Sequence, residues 1–150
     1  MSSRLRYKEV APDAFRALSS LQAHVNQSGL EARLVELVYL RVSQINGCAY
    51  CVHLHSKSLR AAGETDRRLD TLLVWREAPS FTPRERLALA WAESVTGLGA
   101  DHVPEALYEE TRREFGDRAL VELTLAVATI NAWNRMAIAF RAEPAAPAPP

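Results

Sequence analysis

Residues 46–55 read Asn-Gly-Cys-Ala-Tyr-Cys-Val-His-Leu-His, and they contain both cysteines of the 150-residue chain. Asn-Gly is a strong helix-ending pair, because glycine readily takes the left-handed backbone conformation that commonly closes a helix. Apolar residues at helical spacing lie on both sides of this pair. The segment therefore predicts two helices joined by a tight turn, with a C-x-x-C pair at the beginning of the second helix.

The helical spacing of apolar residues continues along most of the chain, and strand signals are scarce. We predict an all-α fold, a compact helical bundle with short connections. Residues 82–85, Thr-Pro-Arg-Glu, predict a helix start with a threonine cap and proline in the first helical position. The predicted helices span residues 12–28, 31–45, 48–62, 83–95, 104–116 and 118–140, and a short one follows Thr65 or Asp66.

The chain length indicates one domain, which we place at residues 1–141. Residues 142–150 are rich in proline and alanine, and this composition predicts a disordered tail. Eighteen basic residues balance eighteen acidic ones, so no nucleic-acid partner is indicated.

The first residues are polar and contain no apolar leader, so we expect no signal peptide. The most apolar stretch, residues 121–140, is interrupted by Glu122, Asn131, Asn134 and Arg135, which argues against a membrane span. We therefore expect a cytoplasmic protein. In that compartment a C-x-x-C pair usually serves catalysis or metal binding rather than structure.

Two predicted helices, residues 31–45 and 118–140, are apolar on most of their sides. Such a helix must be covered on all sides, and a chain of this size offers little interior for two of them. We expect at least one of them to be covered by another copy of the chain. The alternative is a purely central helix within a monomer.

Cys48, Cys51 and His55 fall on one face of the predicted helix. At about 100° per residue the three side chains lie within a stripe about 60° wide. His53 points away from that stripe. One helical turn brings the two cysteines within disulfide distance, and Cys51 and His55 are close enough to touch. This face of the helix is therefore suited to thiol chemistry.

Glu36 is flanked by apolar residues in a helix with few solvated sides. A carboxylate in such a position is expected to be at least partly buried, where it becomes a usable proton acceptor or donor. The tight Asn-Gly turn would bring it beside the cysteine stripe. A structural salt bridge with Arg33, Arg41 or Arg67 is the alternative.

Zinc binding is the chemical alternative to a redox pair. Cys48, Cys51, His55 and Glu36 could in principle form a tetrahedral site. Structural zinc sites usually draw ligands from two separated pairs, however, and the chain has no second C-x-x-C or H-x-x-x-H. We therefore expect no metal. A thioredoxin-like redox site would need strands around the pair, so a different scaffold is indicated.

The pattern Glu36-x11-Cys48-x2-Cys51-x3-His55 resembles the core motif of the AhpD-like alkylhydroperoxidases, in the carboxymuconolactone decarboxylase superfamily. The resemblance covers most of the chain except its tail. The other matching segments are residues 37–63, 75–76, 82–86 and 131–135.

The resemblance implies an all-helical homo-oligomer, often a trimer or a hexamer, that needs no cofactor. Proteins of this family reduce hydroperoxides with a cysteine pair, which an external dithiol then reduces again. By position, Glu36, Cys48, Cys51 and His55 correspond to the catalytic residues of the family. The implied order is attack by Cys51 and disulfide formation with Cys48, although the helix N-terminus would favour Cys48 as the thiolate.

One residue departs from the pattern. Founding members of the family commonly have histidine immediately before the second cysteine, where this chain has Tyr50. The substitution removes one link of their proton relay, so turnover of peroxide is in question. A general thiol–disulfide oxidoreductase and a non-catalytic redox-sensing or zinc-holding protein remain the alternatives. The decarboxylase branch lacks this cysteine pair, which argues against decarboxylation.

Overall fold

The computed structural model of the protein describes residues 3–99 and 102–143. Over those residues it contains α-helices and no strand, so the all-α prediction is confirmed. The helices are α1 Tyr7–Val10, α2 Pro12–Asn26, α3 Ala32–Asn46, α4 Ala49–Ala61, α5 Asp66–Thr71, α6 Pro83–Thr96 and α7 Glu105–Phe140, with a short 3-10 helix, Leu72–Val74, after α5. Most of the predicted tail, residues 144–150, lies outside the described part of the chain.

Most helix boundaries lie where local chemistry predicts them. Gly47 ends α3 with a left-handed φ of 69°, a conformation that costs glycine little. Thr82 and Glu85 form the reciprocal hydrogen bonds of a capping box at the start of α6. Gly116, with φ of 76°, kinks α7 at the position where the sequence predicts a break between two helices. The short helix α1 is not predicted.

Helix α3 lies at the centre of the bundle, against α4, α6 and α7. Two of its faces enter different apolar clusters. Val38 and Val42 pack with residues of α6 and α7, whereas Leu37 and Leu40 pack against the segment around Trp75. The chain itself therefore covers most of α3, as in the alternative of a central helix, although Ile45 near the end of the helix is exposed.

Helix α7 leaves Val121 and Ile138 exposed. The expectation that a second copy covers at least one of these helices, and with it the homo-oligomer, stays a prediction. Over the described residues, no helix is both long enough and apolar enough to cross a membrane.

Glu93 fastens the central helix to its surroundings. Its carboxylate accepts hydrogen bonds from Arg41 of α3 at 2.7 Å, from Trp75 at 2.8 Å and from Arg76 at 2.6 Å. Burial alone would raise the pKa of Glu93, but these three donors outweigh burial and hold the pKa below its ordinary value. The carboxylate therefore stabilises the fold in its charged form.

Candidate active site

Cys48 and Cys51 lie at the turn between α3 and α4 and are joined by a disulfide, with their Cα atoms 5.3 Å apart. Cys48 is the N-cap residue of α4, and its sulfur accepts the backbone N–H of Cys51 at 3.3 Å. The exposed fractions of the two residues are only 2% and 3%. The pair is therefore buried, and the structure contains its oxidised form.

A network of side-chain amides holds this turn in place. Asn46, the last residue of α3, donates to the side-chain oxygens of Asn131 at 2.9 Å and Asn134 at 2.8 Å. Asn134, fully buried on α7, donates in turn to Ser43 at 3.0 Å. Buried amides are retained at low cost only when they are paired. The network therefore fixes the end of α3, and with it the position of Cys48.

Glu36 and His55 form a pair across the two helices of the hairpin. Nδ1 of His55 lies 2.9 Å from Oε2 of Glu36. The His55 side chain is buried, while 31% of the Glu36 side chain is exposed. A carboxylate at Nδ1 favours the tautomer with a proton on that nitrogen, which leaves Nε2 as a proton acceptor. The arrangement suits an imidazole that takes a proton.

Arginine partners were the alternative expected for Glu36. The arginines of this group for which the structure shows a salt bridge pair with other carboxylates. Arg33 pairs with Glu64 at 3.1 Å, and Arg41 pairs with Glu93 at 2.7 Å. Over the described residues, the ion pair of Glu36 is with His55. The predicted partial burial of this carboxylate beside the hairpin is therefore observed.

A cavity of about 380 Å³ opens beside the hairpin. Cys51, His55 and Glu36 line it, whereas Cys48 is not part of the described lining and packs against Ala137 behind Cys51. Of the four residues singled out in the sequence, three thus face one space and the fourth supports them. The remaining walls come from residues of α1, α2, α3, α4 and α7, among them Tyr7, Lys8, Phe15, Gln22, Tyr39, Tyr50, Leu54, Ile130 and Trp133.

Tyr39 belongs to this site but was not among the candidates from the sequence. It is 2% exposed, and its ring meets the His55 ring edge-on, with centroids 5.2 Å apart. The pKa of Tyr39 is raised to about 12, chiefly by burial; a hydrogen bond from Gln22 opposes the rise, and the charge of Glu36 adds to it. One signal in the sequence could have placed Tyr39 at the site: it lies three residues after Glu36, on the same face of α3.

The N-terminal segment forms the outer wall of the cavity. The ring of Phe15 packs edge-on against Trp133, with centroids 5.6 Å apart, and Tyr7 packs against both Phe15 and Phe140. A backbone hydrogen bond of 3.1 Å joins Arg4 to Phe140 at the end of α7. The sequence predicts no role for this wall, because its partners lie more than a hundred residues away along the chain.

Residues 12–94 match the model of the carboxymuconolactone decarboxylase family. The chain belongs to this family. The match spans more than half of the chain and includes Glu36, both cysteines and His55. The family resemblance and the AhpD-like fold expected from the sequence are therefore confirmed.

Proteins similar to this carboxymuconolactone decarboxylase family member include the uncharacterised YdfG of Bacillus subtilis. The two are 36% identical over 140 residues, which make up 93% of this chain and 95% of YdfG. The uncharacterised Escherichia coli protein YnjA is 33% identical over 106 residues, covering 70% of this chain and 57% of its own length.

Among solved structures, a protein of unknown function from Agrobacterium tumefaciens, described as a putative antioxidant defence protein AhpD, superimposes with a TM-score of 0.93. It is 38% identical, and the match covers 97% of this chain and all of that one. An uncharacterised peroxidase-related protein with an alkylhydroperoxidase AhpD core, from Ralstonia eutropha, gives a TM-score of 0.81 at 28% identity, covering 91% of this chain and 73% of its own.

Further observations concern the chemistry open to this family member. Within residues 3–99 and 102–143, no three or more His, Cys, Asp and Glu side chains are grouped so that they could hold a metal ion. Tyr50, the residue that replaces the family histidine, lines the cavity next to Cys51. Burial raises the pKa of the neighbouring Tyr7, and Tyr50 raises it further. His53 is exposed, in agreement with its predicted direction.

Proposed function

We propose that the protein is a thiol-dependent peroxidase that reduces hydroperoxides with Cys48 and Cys51 and is then reduced again by an external dithiol. One observation carries the proposal. Cys51, which forms a disulfide with Cys48, lines a cavity together with His55 and Glu36, and these two side chains are paired with each other. A nucleophilic thiol next to an oriented base is the arrangement that thiol catalysis requires.

In the proposed mechanism, His55 accepts the thiol proton of Cys51, and Glu36 stabilises the imidazolium that forms. The Cys51 thiolate attacks the peroxide and becomes a sulfenic acid, releasing an alcohol. The Cys48 thiol then displaces water from the sulfenic acid, and the disulfide forms. Thiol–disulfide exchange with the external dithiol restores both thiols.

The roles of the two cysteines follow from their positions. Cys51 lines the cavity with His55, so a peroxide in the cavity would meet Cys51 first. Cys48 lies behind it and caps α4, where backbone N–H groups favour a thiolate ready to attack the sulfenic acid. The place of Cys51 in the cavity supports it as the attacking residue, and the cap position suits Cys48 to resolve the sulfenic acid once it has formed.

The cavity favours organic hydroperoxides over hydrogen peroxide. Its volume of about 380 Å³ falls within the range of small-molecule sites. Much of its wall consists of aromatic and aliphatic side chains such as Phe15, Leu54, Ile130 and Trp133. An apolar substituent would displace water from these walls, which stabilises its bound form.

The alternative of a general thiol–disulfide oxidoreductase is disfavoured by burial. Both cysteines are at most 3% exposed, so a protein disulfide would have difficulty reaching the sulfurs. The physiological reductant is accordingly a small dithiol or a dithiol on a narrow protruding segment.

We further propose that the protein acts as a homo-oligomer, a trimer or a hexamer, with the exposed part of α7 at the contact.

The test uses the fully reduced protein and cumene hydroperoxide. The parent should lose both thiols and about 2 Da of mass as the internal disulfide forms. The Cys48→Ser variant should stop at the sulfenic acid on Cys51, a gain of about 16 Da that a sulfenic-acid reagent traps. The Cys51→Ser variant is the matched control, because it keeps one thiol in the same turn.

Consumption of peroxide by Cys51→Ser at the parent rate would contradict the assignment of the two roles. A parent protein that oxidises no faster than free cysteine, with any hydroperoxide, would contradict the peroxidase proposal itself. Turnover is then measured by following peroxide loss with a small dithiol as the electron source. Zinc analysis of protein purified without chelator checks the metal-holding alternative.

A further inference from the structure

The hydroxyl group of Tyr39 is a buried hydrogen-bond donor that the mechanism above does not use. The side chain lines the cavity together with Cys51 and His55, and its ring is fixed against the ring of His55. A buried tyrosine hydroxyl normally finds a partner for its proton. The partners of this hydroxyl therefore decide what its proton can do.

Gln22 of α2 contacts the Tyr39 oxygen, and the orientation of its amide is determined by Trp133. The indole Nε1 of Trp133 only donates, so the atom of Gln22 that lies 3.2 Å from it is the amide oxygen. The amide nitrogen then carries two protons. One is donated to Asn26 at 2.9 Å and the other to the hydroxyl oxygen of Tyr39 at 3.1 Å. The Tyr39 oxygen is therefore an acceptor in this contact, and its own proton is unused.

Within the described residues, no side chain or backbone group accepts the hydroxyl proton of Tyr39; its hydrogen bond is the one received from Gln22. Because the Tyr39 side chain lines the cavity, an acceptor for that proton could lie there. Because the pKa of Tyr39 is raised to about 12, the hydroxyl keeps its proton throughout the neutral range. An oxygen atom of a ligand in the cavity would be a suitable acceptor.

We propose that Tyr39 is a further catalytic residue, whose hydroxyl donates a hydrogen bond to the oxygen that leaves when the Cys51 thiolate attacks a hydroperoxide. Gln22 is a positioning residue, because it holds the Tyr39 oxygen and keeps its proton directed into the cavity. This inference rests on the proposed peroxidase function. It adds a second group that acts on the leaving oxygen. His55 returns the proton to that oxygen, and Tyr39 stabilises the negative charge while it develops.

The chemical step balances as follows. The thiolate sulfur supplies an electron pair to the terminal peroxide oxygen, so a sulfur–oxygen bond forms and the oxygen–oxygen bond breaks. The sulfur is oxidised by two electrons, and the peroxide is reduced to an alkoxide and a sulfenic acid. The alkoxide takes up the proton that His55 removed from Cys51 and leaves as an alcohol. Tyr39 stabilises the negative charge on the alkoxide oxygen as it develops and keeps its own proton.

The experiment compares two oxidants whose leaving groups differ in their need for a donor. Cumene hydroperoxide releases an alkoxide, whereas peracetic acid releases a carboxylate that is already stable as an anion. The reduced Tyr39→Phe variant should react with cumene hydroperoxide on the order of 100-fold more slowly than the parent, and with peracetic acid less than about threefold more slowly. The readout is thiol loss in a single turnover, so no reductant needs to be known.

Two further variants make the comparison specific. Tyr108→Phe removes a tyrosine hydroxyl on α7 outside the cavity and should leave both rates unchanged. Gln22→Met removes the amide that holds Tyr39 and should give a smaller loss, again confined to cumene hydroperoxide. This variant also tests the proposal if Tyr39→Phe fails to fold.

The outcomes separate the two proposals. Equal slowing of Tyr39→Phe with both oxidants, or no slowing with either, overturns the role of Tyr39 while the peroxidase function stands. A parent protein that reacts with neither oxidant faster than free cysteine overturns both. A loss confined to cumene hydroperoxide in both Tyr39→Phe and Gln22→Met supports the assignment, since a purely structural defect would not depend on the leaving group.

Discussion

Replacing Glu36 with glutamine should slow the oxidation of Cys51 by a hydroperoxide about 100-fold, because the imidazolium of His55 loses its negative partner. Glutamine has nearly the same shape and its amide oxygen can still accept the N–H of His55 Nδ1. The substitution therefore removes the charge and largely keeps the geometry. Its effect reports how much the carboxylate contributes to proton removal from the thiol.

The size of the effect follows from the distance between the two charges. Oε2 of Glu36 lies 2.9 Å from Nδ1 of His55. At an effective dielectric constant of about 20, opposite unit charges at that separation attract by about 6 kcal/mol. Because 31% of the Glu36 side chain is exposed, solvent screening reduces this attraction by roughly half, to about 3 kcal/mol. A barrier increase of about 3 kcal/mol slows a reaction about 100-fold.

The assay mixes reduced protein with cumene hydroperoxide near neutral pH and follows thiol loss in a single turnover. Glu122→Gln is a matched control, since Glu122 pairs with His24 at 3.0 Å in a second Glu–His pair outside the cavity. Circular dichroism checks that both variants keep their helices. A folded Glu36→Gln variant that keeps more than half of the parent rate would refute the role given to the carboxylate.

Three other substitutions test the walls and supports of the site. Phe15→Ala should raise KM for cumene hydroperoxide about tenfold through lost apolar contact, with hydrogen peroxide kinetics unchanged; a parallel change for both peroxides in steady-state assays would contradict this. Asn134→Ala should lower the free energy of unfolding by about 2–3 kcal/mol, because Asn46 and Ser43 lose a buried partner; an unchanged urea midpoint would argue against the network. Glu93→Gln should cost about 2 kcal/mol at neutral pH. Folding lowers the pKa of Glu93, so the ionised carboxylate stabilises the folded protein. This stabilisation is fully present at a pH above the ordinary pKa of a glutamate. It is lost as the pH falls from that ordinary pKa through the lowered pKa of the folded state. The difference between parent and Glu93→Gln should therefore shrink in acid, and urea titrations giving the same difference at neutral and acidic pH would show the reasoning to be wrong.

Helix boundaries were predictable wherever one residue decides the local backbone. Gly47 and Gly116 both have positive φ, and each lies where the sequence predicts a break. Thr82 caps α6 through hydrogen bonds within four residues of chain. Such signals are local, so reading the sequence detects them. The short α1 carries no side-chain cap and no buried residue, and consequently leaves no comparable pattern.

The geometry within the hairpin was predictable for a similar reason. Helical periodicity alone aligns Cys48, Cys51 and His55, and the tight turn at Gly47 brings Glu36 alongside. The sequence also suggested arginine partners for Glu36, because periodicity does not distinguish between charges on neighbouring helices. The choice of His55 depends on how α3 and α4 pack, which is a property of the whole bundle.

The contribution of α2 and α7 to the cavity was not predictable. Gln22 contacts Tyr39 and Trp133, which lie on two different helices, and no local pattern connects the three residues. In the sequence Tyr39 counts only as one more apolar residue of a buried helix. Its role depends on the orientation of a distant amide, which becomes visible only once the helices are packed.

The acid–base pair and both sulfurs lie between positions 36 and 55, within a single helical hairpin, whereas much of the surrounding wall comes from α1, α2 and α7. Reactivity and selectivity are thus encoded in separate parts of the polypeptide. Libraries that randomise Phe15 and Ser19 could redirect the molecule toward new oxidants while the reacting centre is left untouched. A graft of the hairpin into a designed bundle would also need a counterpart of Asn134, because that residue of α7 holds the turn that positions Cys48.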